Sequence, residues 1–199
     1  MEELGSEVEW LVGPKSEVSG KSIARKRHAD PTLLSLVERR LFVRSVFSYI
    51  EAVVFGLKQM ALRYPPATDK LSPGEVALAN EDDYELDDSG EVKTRPARLS
   101  FLSNFRFAFM LADKAWELQY KIDVTGTCWQ ALRNAVRVRD RLMHPKNADS
   151  VVVTDNEVRE ALRAFEWVAR ELLVVMARAL MSPAARTRAA ERKKGSTRK

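Results

Sequence analysis

At 199 residues the chain can bury one core-forming domain with tails, and two full domains would be a stretch. Hydrophobic residues at 45% and charged residues at 31% place it among soluble globular proteins. No run of about 18 apolar residues escapes a charge, so no membrane span is expected. The formal charge is +5, yet residues 182–199 hold Arg186, Arg188, Arg192, Lys193, Lys194, Arg198 and Lys199 against Glu191, a balance of +6, leaving −1 for 1–181. The basic character therefore belongs to the tail, and the remainder is close to neutral.

The first residues, with Glu2, Glu3, Glu7 and Glu9, do not read as a secretory signal, and the single cysteine, Cys128, fits a reducing cytoplasm. Three regions are expected: an N-terminal extension over 1–29, a helical domain over 30–181, and a basic, solvated tail over 182–199. In the extension, Trp10, Leu11 and Val12 are apolar, and Lys21, Arg25, Lys26, Arg27 and His28 form a small basic cluster.

Asp30-Pro31 reads as an N-cap with proline at the first helical position, opening a helix to about Arg63 that Pro65-Pro66 stops. Leu33, Leu36, Val43, Phe47, Ile50, Val54, Leu57 and Ala61 fall on its inward face by three/four spacing, with Arg40 as a polar intruder. A second row, Val37, Leu41, Ser45, Ser48, Ala52 and Gly56, makes the helix apolar on most sides, which points to a further contact such as a second subunit.

Residues 64–98 are irregular. Ser72-Pro73-Gly74-Glu75 has the form of a capping box before a short helix to Ala79. The turn residues Asp87-Asp88-Ser89-Gly90 predict a small acidic hairpin between Tyr84 and Arg95. A third principal helix is expected over 99–120, with Leu102, Phe105, Phe109, Ala112 and Trp116 inward and Phe101, Phe107 and Leu111 widening the apolar face. A fourth should run from Thr127 to Met143. A fifth opens at the capping box Thr154-Asp155-Asn156-Glu157 and continues to about Met181, where Pro183 ends it. Its core face is Val158, Ala161, Phe165, Val168, Leu172, Val175 and Ala179. The expected class is all-α, a helical bundle of four to five helices with the irregular acidic insertion at about 64–98.

The fourth helix carries the chemistry. Cys128, Trp129, Ala131, Leu132, Ala135, Val136, Val138, Leu142 and Met143 gather into one apolar arc, and Arg139 falls near its middle. Arginine is rarely buried without a partner, because an unpaired buried charge costs several kcal/mol. Asp140 adjoins it, and His144, one of two histidines, precedes Pro145. Proline disfavours the α conformation for the residue before it, which releases His144 from the helical path. Arg133, Arg137 and Arg141 recur on the other side, with Lys146 beyond. They read equally as phosphate-gripping groups and as a solvated charged face.

An arginine, a polar residue, three further residues and a histidine near a helix end, here Arg139-Asp140-Arg141-Leu142-Met143-His144, inside an all-α setting, resembles the HEPN superfamily. The specific part of the resemblance is this short motif, in which Asp140 stands where the family commonly has asparagine. The resemblance implies a homodimer and a metal-independent endoribonuclease that cleaves RNA by 2′-hydroxyl attack on phosphate, as a toxin paired with an antitoxin protein or a phage-defence effector. Arg139, Asp140 and His144 would be catalytic, and Arg133, Arg137, Arg141 and Lys146 would hold RNA phosphates. No metal ligand set and no cofactor are expected. The competing expectation is an inactive HEPN-like module for dimerisation or partner binding.

Overall fold

The computed structural model describes residues 34–63 and 70–182. The expected Asp30-Pro31 cap, the Pro65-Pro66 stop, Leu33, Trp10 to Val12, the 21–28 basic cluster and the tail from Pro183 lie outside these residues. The elements in chain order are α1 (Leu36–Arg63), α2 (Pro73–Ala79), β1 (Asp82–Leu86), β2 (Val92–Pro96), α3 (Phe101–Trp116), α4 (Thr127–Met143), a 3-10 turn (Ala148–Val151) and α5 (Asp155–Met181). The class is all-α, as the periodicity predicts: five α-helices stand among the described residues, and the sheet is one two-stranded ribbon.

Local chemistry sets the helix ends. Ser35 accepts from the Glu38 N–H (3.3 Å), and its own N–H donates to the Glu38 carboxylate (2.7 Å). This reciprocal cap satisfies orphan donors and starts α1 at Leu36, downstream of the expected Asp30. The boxes anticipated at Ser72/Glu75 and Thr154/Glu157 both form. The third helix is shorter than the expected 99–120. Ser100 caps it by accepting from the Ser103 N–H, and Glu117 leaves it in a left-handed conformation (φ 54). Asp113 holds that exit, because its carboxylate accepts the Tyr120 N–H at 2.9 Å and its carbonyl the Leu118 N–H at 3.2 Å.

The chain forms two compact units. One comprises the described residues up to Glu51 together with Asp123–Val168. It buries Val43, Phe47 and Ile50 of α1, Trp129, Leu132 and Ala135 of α4, and Val158, Ala161 and Val168 of α5. Each fully buried large aliphatic or aromatic side chain contributes roughly 1.5–3 kcal/mol. Edge-on aromatic contacts, Tyr49 with Phe165 at 4.9 Å and Trp129 with Trp167 at 6.2 Å between centroids, tie its helices. Leu36, expected inward, is exposed like Val37 and Leu41: Leu34 ahead of the helix is buried, but within α1 the buried row begins only at Phe42 and Val43. Met143, placed on the α4 arc by spacing, is also exposed, since the helix ends there.

The other unit comprises Ala52–Ile122 and the described residues from Ala169. Val54, Leu57 and Ala61 of α1 and Phe105, Ala108, Phe109, Leu111 and Ala112 of α3 are buried in it. Lys58 is 0% exposed, and its ammonium donates to Glu81 Oε1 at 2.7 Å and Asn104 Oδ1 at 3.1 Å. Tyr120 donates to Glu171 at 2.7 Å beneath the Arg178 guanidinium, which itself donates to the carbonyls of Leu118 and Gln119. Burial first, and then the neighbouring Glu171 carboxylate, push the Tyr120 phenol above its ordinary range.

The predicted hairpin is present. β1 and β2 pair antiparallel with Leu86 opposite Val92 and Tyr84 opposite Thr94. Asp87 builds the turn by accepting from the Ser89 and Glu91 N–H groups, and Gly90 takes the positive φ (83) that the reversal needs. No helix among the described residues is long and apolar enough to cross a membrane.

Candidate functional site

Helix α4 runs from Thr127 to Met143, the span the sequence predicts, and its buried face is the anticipated arc of Trp129, Ala131, Leu132, Ala135, Val136, Val138 and Leu142. Cys128, read as a buried small hydrophobe, is half-buried at the edge of that face. Arg139 lies at the arc's border with 29% of its side chain exposed. Its guanidinium stands 5.7 Å from the centroid of the Phe47 ring, pairs with the Glu51 carboxylate, and donates to Asp140 Oδ1 at 3.1 Å. The intruding charge is thus satisfied by an aromatic face and two carboxylates.

Glu51 is the residue that sequence reasoning missed. Phe47 and Glu51 stand one helical turn apart on α1, so the ring that receives the guanidinium and the acid that neutralises it share a face. The signal was available in that spacing, but nothing local ties position 51 to position 139. Among the described residues, with Asp140 counted, two carboxylates meet the Arg139 guanidinium.

His144 is the C-cap of α4, at φ −129 and ψ 64, off the helical path as Pro145 requires. Its N–H donates to the Asp140 carbonyl at 3.0 Å, while its imidazole is exposed. The structure therefore joins Arg139 to Asp140 directly and His144 to Asp140 through the backbone. Among the described residues no hydrogen bond or ion pair ties the His144 ring to either.

The four expected phosphate-binding cations separate into two groups. Arg133, Arg137 and Lys146 are exposed. Arg141 turns instead onto the segment after the 3-10 turn, donating to the Val152 carbonyl at 2.8 Å and pairing with Glu157 at 3.0 Å. Burial pushes the Glu157 carboxyl up, but the Thr154 N–H and the Arg141 guanidinium outweigh it and hold it below the ordinary carboxylate range. Arg39 grips the same segment from α1, donating to the Val153 carbonyl at 3.1 Å and pairing with Asp155 at 2.5 Å. The chain following His144 is thus fixed by two arginines, a role for Arg39 that its place in α1 does not announce.

Chemically, the arrangement offers a charged fork, an acid that orients it and an exposed imidazole within one turn of a helix end. A guanidinium can stabilise negative charge developing on a phosphate, and an imidazole can exchange a proton near neutral pH. No family model, curated protein or solved structure matches this chain.

Proposed function

We propose that this protein is a metal-independent endoribonuclease of the HEPN type. The observation that carries the reading is Arg139, held at the border of the α4 core by Phe47, Glu51 and Asp140, five residues ahead of the exposed His144 at the helix C-cap. In the proposed reaction His144 accepts the proton of an RNA 2′-hydroxyl, and that oxygen attacks the adjacent phosphorus. The bond to the 5′-oxygen breaks, the leaving oxygen takes up a proton, and a 2′,3′-cyclic phosphate remains. Arg139 stabilises the charge that builds on the non-bridging oxygens, and Asp140 orients it. Arg133, Arg137 and Lys146 are free to meet flanking phosphates, whereas Arg141 serves the fold first. A homodimer, an antitoxin partner and a cytoplasmic role in toxin–antitoxin or phage-defence systems belong to this proposal.

A second reading, a non-catalytic module that dimerises or binds a partner, is favoured by one observation: Leu36, Val37 and Leu41 are exposed along the first turns of α1. The test compares wild type with Arg139→Ala and His144→Ala on mixed RNA in EDTA, with product ends analysed. Cleavage by wild type leaving cyclic phosphates, reduced about 10²–10⁴-fold in His144→Ala, supports the enzyme. Inactivity of all three folded proteins supports the binding module, and equal activity removes these residues from the chemistry.

A further inference from the structure

The hairpin is a two-faced ribbon. Cross-strand partners share a face, so the register puts Tyr84, Leu86, Val92 and Thr94 on one side and Asp83, Glu85, Lys93 and Arg95 on the other. The charged side is internally satisfied: Arg95 pairs with Asp83 at 2.7 Å and with Glu85 at 2.9 Å. The opposite side is open, with Tyr84, Leu86 and Val92 all more than half exposed (56%, 71% and 68%). A ribbon of two strands with an uncovered apolar face is marginal in water, and its outer edges carry unpaired backbone groups.

Its charge names the occupant. Residues 81–96 hold seven carboxylates against Lys93 and Arg95, while the tail beyond α5 holds seven basic residues against Glu191. Asp82, Asp88 and Glu91 have no side-chain partner among the described residues. The tail leaves α5 just past Ser182 and continues through 17 residues, a span of up to about 55 Å when extended. That exceeds the dimensions of a compact unit the size of the one holding both the hairpin and the end of α5, for which the radius of gyration is about 12 Å. Ala184, Ala185, Ala189 and Ala190, with the aliphatic stems of the arginines, supply apolar surface without bulk.

We propose that the basic C-terminal segment 183–199 docks in cis on the hairpin. Its lysines and arginines meet Asp82, Asp88 and Glu91, and its alanines and arginine stems cover Tyr84, Leu86 and Val92. The near-neutral body then sequesters its own polycation, and a competing polyanion has to displace it.

The experiment uses the full chain. Carbodiimide coupling on an equal mixture of ¹⁴N- and ¹⁵N-labelled protein, read by mass spectrometry, should link Lys193, Lys194 or Lys199 to Asp82, Asp88 or Glu91 within single-isotope chains. The links should fade at about 1 M salt, where the screening length falls to about 3 Å. Hydrogen exchange of the hairpin amides gives a second readout. With an effective tether concentration of about 1 mM and a weak site of about 0.1 mM, docking slows exchange about tenfold, and Lys193→Glu with Lys194→Glu should abolish that protection. Links spread over exposed carboxylates generally, links joining ¹⁴N to ¹⁵N protein as often as same-isotope chains (a second copy as donor), or exchange unchanged in the charge-reversed variant would each overturn the proposal.

Discussion

Lys58 and Glu81 make an ion pair whose two ends live in different solvents, and removing one end should not equal removing the other. The Lys58 side chain is 0% exposed, whereas that of Glu81 is 51% exposed. Glu81→Ala leaves an ammonium buried with Asn104 as its remaining acceptor. Stripping one partner from a buried pair costs about 3–5 kcal/mol, and water at the Glu81 end lowers this to about 2–3 kcal/mol. Glu81 has a left-handed backbone (φ 63), but alanine carries the same Cβ, so the backbone cost is unchanged and the carboxylate is isolated. Lys58→Met fills similar volume, removes the buried charge, and lets Glu81 return to water, at a cost of about 0–1 kcal/mol. Urea unfolding of both variants, followed by far-UV circular dichroism with unchanged m-values, reads the difference. Glu81→Ala should be the less stable by about 2 kcal/mol. Equal losses, or a larger loss in Lys58→Met, would refute the assignment of the cost to the unpaired ammonium.

Glu51→Gln keeps a hydrogen-bond acceptor for Arg139, while Phe47 and Asp140 retain the guanidinium. If RNA binds at Arg139 as proposed, removing one negative charge about 6 Å from its phosphate relieves about 0.7 kcal/mol in a water-like dielectric, roughly threefold in Kd. RNA anisotropy titration in EDTA should show that tightening; weaker binding would mean that Glu51 holds the phosphate-binding pose. At the hairpin turn, Ser89 first, then Lys93 and the Glu91 N–H, hold the Asp87 carboxyl down at about 2. A depressed carboxylate stabilises the fold above its unfolded value and loses that contribution as pH falls through the folded one. The turn should therefore persist at pH 4 and loosen toward pH 2, visible in the carboxyl carbon shift of Asp87 by NMR. A midpoint near 3.8, the ordinary aspartate value, would show the turn contacts to be absent in solution.

Local patterns were legible where the physics is local. The serine and threonine boxes at Ser72 and Thr154, the ends of α4, and the Asp87–Gly90 reversal each depend on side chains within a few residues of one another. Asp30-Pro31 offers the stronger local signature of a helix start, although Ser35 and Glu38 form a box of their own. Pairings across the chain were not legible. Arg139 announced itself as a charge inside an apolar arc, but its acid lies 88 residues away. Lys58 satisfies the same criterion, one turn after Val54 and three residues before Ala61, both buried. A charge set within an apolar row marks Lys58 on α1 as it marks Arg139 on α4. What no pattern supplies is the partner, since Glu81 and Asn104 converge on Lys58 only through tertiary packing. The exposed Leu36 marks the opposite failure, an apolar residue on the right spacing with nothing to cover it.

The Glu51–Arg139 contact has a consequence in time as well as in space. Joining positions 88 residues apart closes a loop whose entropic cost grows with the logarithm of its length and comes to about 4 kcal/mol here. Packing that surrounds the pair must supply this, so the constellation cannot precede the burial of Phe47 and Leu132. During synthesis from the N-terminus, α1 emerges with its acid and its ring long before the arginine exists. A growing chain therefore cannot close the Glu51–Arg139 contact until α4 has been made.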